Sequence, residues 1–380
     1  MIEILVEIER LRGLAILMVL CCHFFAFHVD PSLLHPAAYK FFSRQWPGVE
    51  LFFVLSGFVI GRSLARRFAP NRSSTASLRE ALAYLVRRAF RVLPPPLFWI
   101  AVVAVYVALF DSTMMSELLG SLWAFITLRH HTVLIFHRPS IPYFGPFWSL
   151  SVEERFYLGI LLVFLIVRHR KMRIVLLVAV MLTILVCFRV YGWTIHGRFL
   201  PDAPIWFLAR LRFDALLAGT LIALLISEHR SQDLTTSRRL LLFALFLVAL
   251  VVQLGATTFL ENTRWEQFYT NVFYISGGIM VYLAQRNQGL VMGAHGNGLA
   301  RGFELLGRIS FSVYVCHLFV FERILCMGHI TKISTWQALA LWGPLALAAT
   351  IFASYLSYSF IESPFRAWGR RLAKSIERSV

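Results

Sequence analysis

The chain has 380 residues, of which 58% are hydrophobic and only 15% charged, and it carries a net charge of +17. Soluble domains hold about 25% charged residues, so a water-soluble globular protein is excluded. The basic excess does not require nucleic acid as a partner, because Lys and Arg collect in the cytoplasmic loops of membrane proteins.

Taken from the N-terminus, the first ten residues are acidic at Glu3, Glu7 and Glu9 and lack a basic n-region or a small-residue cleavage site. No cleaved signal peptide is expected, and the first helix stays as an anchor. Apolar runs of around 20 residues, each long enough to cross a bilayer as a helix, then recur along the whole length. They predict an all-α, polytopic bundle with about ten spans: 12–29, 47–61, 92–110, 147–167, 174–191, 205–227, 240–257, 268–284, 305–324 and 335–360. An eleventh apolar segment, 118–136, contains Arg129, His130 and His131. If it does not cross, 25 of the 37 Lys and Arg fall inside and 7 outside, and both termini are cytoplasmic. Positive-inside bias favours that arrangement. The expected organisation is one transmembrane domain over 1–380. Within it, 62–91 is a cytoplasmic basic loop, 111–146 an outer re-entrant or interfacial segment, and 365–380 a cytoplasmic tail. No fused soluble domain is expected after the last span. The five cysteines show no metal-ligand spacing, and no metal site is expected.

Five groups of polar residues stand in apolar surroundings, and a sixth group lies in the basic loop 62–91. Arg12 and His23 are eleven residues apart on the first span. At ~100° and ~1.5 Å per residue they share one helix face, about 16 Å apart, with the arginine near the interface and the histidine near mid-membrane. An ionisable group at that depth is a functional candidate, and the alternative is an imidazole bonded to a neighbouring helix. Ser56-Gly57 on the second span lets another backbone approach, and Ser56 can donate a hydrogen bond inside a cavity. In 62–91, Ser77 and Glu80 make a capping box that starts a helix ending at Arg87, Arg88 and Arg91, before Pro94-Pro95-Pro96. That basic helix either anchors on anionic lipid or clamps phosphate with arginine forks. Glu153 and Glu154 enter the 147–167 span beside Trp148 and point ~100° apart, so at most one faces a given pocket. Arg212 and Asp214 lie within the predicted 205–227 span, and Ser310, Ser312, Tyr314 and His317 begin the 305–324 span.

These residues, in this order, resemble the acyltransferase-3 family of integral-membrane O-acyltransferases. The motifs are Arg12 with His23; Gly48 to Phe58 around Ser56-Gly57; Arg87 to Pro94; Trp148 to Tyr157 with Glu153; Arg212-Phe213-Asp214 to Gly219; Gly307 to His317; and Ile361-Glu362-Ser363-Pro364. The resemblance covers residues 8 to about 368. Members modify surface polysaccharides, lipopolysaccharide, peptidoglycan, nodulation signals and some macrolides. It implies an acyl-CoA donor, usually acetyl-CoA as a co-substrate rather than a bound cofactor. It also implies a hydroxyl acceptor on a cell-surface or exported glycan or glycolipid, and a location in a bacterial-type cytoplasmic membrane. On that reading His23 is the general base and Glu153 the carboxylate that orients it. Arg12, Arg87, Arg88 and Arg91 hold the donor's phosphates. Ser56, Trp148, Arg212 and Asp214 line the substrate site. The alternative from a different class is a multi-span transporter or flippase, for which the internal repeats and paired broken helices of transporters are missing.

Overall fold

The computed structural model describes residues 6–68, 74–130, 141–196, 213–226, 235–260, 269–286, 288–291 and 298–378, with the backbone alone at 74–76, 187–196, 259–260 and 269–270. The described residues are helical and form no strand; a single bridge pairs Val29 with Ile333. In chain order the α-helices are α1 (Val6–His28), α2 (Pro36–Ser43), α3 (Pro47–Arg67), α4 (Ser74–Val92), α5 (Pro94–Phe110), α6 (Met115–Ile126), α7 (Phe147–Ile166), α8 (Arg170–His196), α9 (Asp214–Leu225), α10 (Thr236–Leu260), α11 (Tyr269–Ala284), α12 (Gly298–Met327), α13 (Trp336–Ser357) and α14 (Ser363–Arg378). A π-helical turn, Tyr358–Glu362, joins the last two.

Among the described residues, six helical stretches are long and apolar enough to cross a membrane: Val6–His28, Pro36–Arg67, Ser77–Phe110, Thr236–Thr258, Gly298–Met327 and Trp336–Arg378. The chain is thus a multi-pass, all-helical protein. Hydropathy and charge predict four further spans, two of which fall, within the described residues, on shorter apolar helices, Asp214–Leu225 and Asn271–Ala284. Another of the four falls on α7, which has 20 residues and carries Glu153, Glu154 and Arg155. In the segment expected not to cross, α6 has only 12 residues. It rises roughly 18 Å, short of the ~30 Å hydrocarbon core. The basic stretch 62–91 is mostly helix rather than loop, since α3 runs on to Arg67 and α4 begins at Ser74. The helix start thus lies three residues before the predicted capping box. Its end, ahead of the three prolines, follows from their missing N–H groups and fixed φ.

The chain divides into two compact units. The first comprises Met1–Arg62, Ile174–Ser310 and Ile330–Ala340, and the second Ser63–Arg173, Phe311–His329 and Leu341–Val380. In the first unit, glycines let helices touch backbone to backbone. A Cβ on Gly57 of α3 would lie 2.0 Å from the Leu216 carbonyl oxygen of α9. One on Gly219 would lie 2.0 Å from the Val54 oxygen. Thr220 closes the crossing by donating to the Gly57 carbonyl at 3.1 Å. Gly307 of α12 meets the Glu9 carbonyl of α1 in the same way, at 1.9 Å. Such small-residue contacts are how helices associate where lipid offers no hydrophobic drive. We expect Gly57→Ala and Gly219→Ala to lower the thermal unfolding midpoint in detergent, because the two backbones must separate; overpacking of this kind costs about 1–3 kcal/mol. Gly159→Ala, which meets nothing within 4 Å, is the control and should leave the midpoint unchanged or raise it.

The start of α1 is held by a buried charge network. Glu7 accepts from the Gly289 and Val291 N–H groups at 2.6 and 2.9 Å. Arg10 donates to Glu304 at 2.8 Å and to the Val291 carbonyl at 2.8 Å. Both side chains are fully buried. They are tolerable there because backbone and carboxylate partners satisfy them.

Candidate active site

In the first unit, α1 is one unbroken helix from Val6 to His28. The eleven-residue spacing therefore does place Arg12 and His23 on one face. Arg12 is half-buried and pairs with Glu9 at 3.4 Å. His23 is half-buried, its ring stacked on Phe27 with centroids 5.6 Å apart. Ser56 is half-buried on α3, next to the Gly57 crossing. Asp214 opens the described part of α9, and its carboxylate accepts from the Ala215 N–H at 3.0 Å. Residues 205–212 of the expected span, Arg212 among them, lie outside the described residues.

In the second unit, α4 carries its arginines to two different places. Arg87 pairs with Glu377 of α14, which also accepts from Arg67 at 2.7 Å, while Arg67 reaches Glu80 at 2.9 Å. Two arginines and two carboxylates thus fasten α14 onto α4. Gly369 makes the close approach possible, since a Cβ there would lie 2.4 Å from Phe90 Cβ. Arg88 turns the other way. Its guanidinium lies 5.5 Å from the ring centre of Tyr84 and 5.0 Å from that of Tyr157 on α7. The Tyr157 hydroxyl in turn donates to Glu153 at 2.8 Å. An expected donor-binding arginine and an expected catalytic carboxylate are therefore joined through one tyrosine. Arg91 and Glu154 are half-buried nearby in sequence, on the same two helices.

Trp148 is half-buried in the first turn of α7. That turn is fixed by Tyr314 of α12, whose hydroxyl donates to the Pro146 carbonyl at 2.9 Å and lies 2.7 Å from the Ser149 hydroxyl. Ser312 donates to Glu362 at 2.9 Å, and Glu362 also holds Arg366 at 3.0 Å. Glu362 is 1% exposed and sits in the π-helical turn, a distortion often found at functional sites. Among the described residues, no three His, Cys, Asp or Glu side chains gather to hold a metal ion.

Glu377 and Arg67 are not singled out by their sequence surroundings. Tyr157 and Glu362 fall within the motifs that carry the family resemblance but receive no role there; Tyr157 also lies four residues after Glu153 and so on the same helix face.

Among the described residues the chain is all-helical, with six stretches apolar enough to cross a membrane and a basic helix in contact with a carboxylate-bearing one. The chain belongs to the acyltransferase-3 family, whose acyltransferase domain matches residues 5–359. It is 24% identical to the peptidoglycan O-acetyltransferase OatA of Listeria monocytogenes over 96% of this chain and 56% of that protein. It is 22% identical to the O-acetyltransferase OatA of Staphylococcus aureus over 90% of this chain and 56% of that one. The chain thus spans about half the length of the curated relatives it matches. No solved structure matches it.

Proposed function

We propose that this protein is a membrane O-acyltransferase that moves an acetyl group from cytoplasmic acetyl-CoA to a hydroxyl of a cell-envelope glycan, with peptidoglycan the acceptor suggested by its relatives' names. The reading includes ten spans, both termini in the cytoplasm, and a bacterial-type cytoplasmic membrane. The observation that carries it, beside family membership, is the chain of contacts from Arg88 through Tyr157 to Glu153.

The chemistry follows from the residue types. Arginine forks suit the donor's phosphates because they bind two oxygens at once. His23 takes the proton of the acceptor hydroxyl, since an imidazole with an ordinary pKa near 6.5 serves as a base at neutral pH. The hydroxyl oxygen then forms a bond to the thioester carbonyl carbon. The C–S bond breaks, and the CoA thiolate leaves and takes up the proton. Glu153 is the carboxylate that the Tyr157 hydroxyl holds.

The test is to compare, by NMR, the ester acetate on surface glycans of cells with and without the chain. Ester acetate that depends on the chain, with acetyl-CoA consumed by the purified protein, is the expected result. A transporter would leave acetyl-CoA unspent. Two narrower outcomes are expected. Arg88→Ala and Arg91→Ala should each raise the donor's KM, by the equivalent of about 1–3 kcal/mol, while the acceptor's KM changes little. An unchanged donor KM in both would make α4 a membrane anchor only. For the topology, a lone cysteine at Pro142 in a cysteine-less background should react with an impermeant thiol reagent in intact cells, and one at Lys171 only after the membrane is opened. The reverse pattern would mean that the 118–136 segment crosses.

A further inference from the structure

We infer that Tyr157 is a positioning residue that links donor engagement at Arg88 to the orientation of Glu153; the inference rests on the acyl-transfer reading above. Its ring and its hydroxyl do separate jobs. The ring lies 5.0 Å from the Arg88 guanidinium, and the Tyr84 ring lies 5.5 Å from the same group. Tyr84 is 2% exposed, so this aromatic pair forms a fixed wall. A guanidinium placed on a ring by its face presents its N–H donors in its own plane, the geometry a phosphate needs. The same wall therefore keeps Arg88 from swinging away and costs the donor less ordering when it binds.

The hydroxyl acts on the other side. It donates to Glu153 at 2.8 Å across one helical turn of α7, which fixes the rotamer of a carboxylate on a half-buried stretch of that helix. A cation over the ring draws electron density from the phenol and makes its O–H a better donor. A phosphate held by Arg88 thus sits one ring away from the hydroxyl that holds Glu153. The arrangement ties three residues from two motifs, 87–91 and 148–157, that the sequence presents as independent.

Two substitutions separate the jobs. Tyr157→Phe keeps the ring and removes the hydroxyl; Tyr157→Leu removes both. Purified variants are assayed for CoA binding, and cells carrying them for alkali-labile ester acetate on the surface. Tyr157→Phe should bind CoA within about twofold of wild type and lower ester acetate by about tenfold, the scale of one lost hydrogen bond to a charged group. Tyr157→Leu should weaken CoA binding as well. In a Glu153→Asp background, whose shorter side chain no longer meets the hydroxyl, Tyr157→Phe should add no further loss, whereas a merely structural tyrosine would lower both backgrounds by the same factor. Equal thermal midpoints of wild type and Tyr157→Phe establish that folding is not the cause. Wild-type ester levels in Tyr157→Phe, or parallel loss of CoA binding and ester, overturn the role. A wild-type chain that binds CoA but restores no ester overturns the acyl-transfer reading itself.

Discussion

His23→Ala should reduce acyl transfer by at least about a hundredfold, the lower end of what a positioned general base contributes. The protein should still fold and insert. His23 is half-buried and its ring stacks on Phe27 of the same helix, so truncation opens no large cavity. Donor binding should persist, because the residues assigned to the phosphates lie at Arg12, on the same helix face and roughly 16 Å away along α1, and on α4. The measurement is ester formation by purified variant in detergent or nanodiscs, alongside a CoA-binding isotherm. Loss of turnover with retained CoA affinity is the expected pair of results. Turnover near the wild-type value would remove His23 from the mechanism, whatever becomes of the family assignment.

Glu153→Gln should be severely impaired and Glu154→Gln mild. Adjacent residues of a helix face ~100° apart, so the two carboxylates cannot share one partner set. Glu153 accepts from the Tyr157 hydroxyl, which connects it to Arg88. Replacing a carboxylate by an amide there keeps an acceptor oxygen but removes the charge that strengthens the bond from Tyr157. That costs about 1.5–3 kcal/mol, or one to two orders of magnitude in rate if the group acts in the transition state. Glu154→Gln should stay within about threefold of wild type, a difference of less than ~1 kcal/mol. The opposite ranking would move the role to Glu154, and equal tolerance of both would leave the base without a carboxylate from this motif.

Several of these features are legible in the amino-acid sequence alone. The common face of Arg12 and His23 needs only the helical repeat and an unbroken helix, and Val6–His28 is unbroken. The close approach at Ser56-Gly57 follows from side-chain size. Its partners, Leu216 and the reciprocal Gly219, do not, because small residues say that a backbone comes near without saying which. The end of α4 is legible from Pro94-Pro95-Pro96. Its start is not, because an upstream serine, Ser74, opens the helix three residues ahead of the capping box at Ser77.

Local repeat and solvent preference are properties of the sequence, and what depends on them needs nothing more: an all-helical chain, helices apolar enough for a bilayer, the face shared by Arg12 and His23, and membership of a family through motifs in order. Which side chains meet is a matter of tertiary packing. Arg87 and Glu377 are 290 residues apart, and Ser312 and Glu362 are 50 apart; no periodicity links such positions. Packing also divides neighbouring arginines by direction. One turn of α4 sends Arg87 to a carboxylate on α14 and Arg88 to a tyrosine on α7, because successive residues of a helix point ~100° apart and the neighbour each one finds is set by the helices around it.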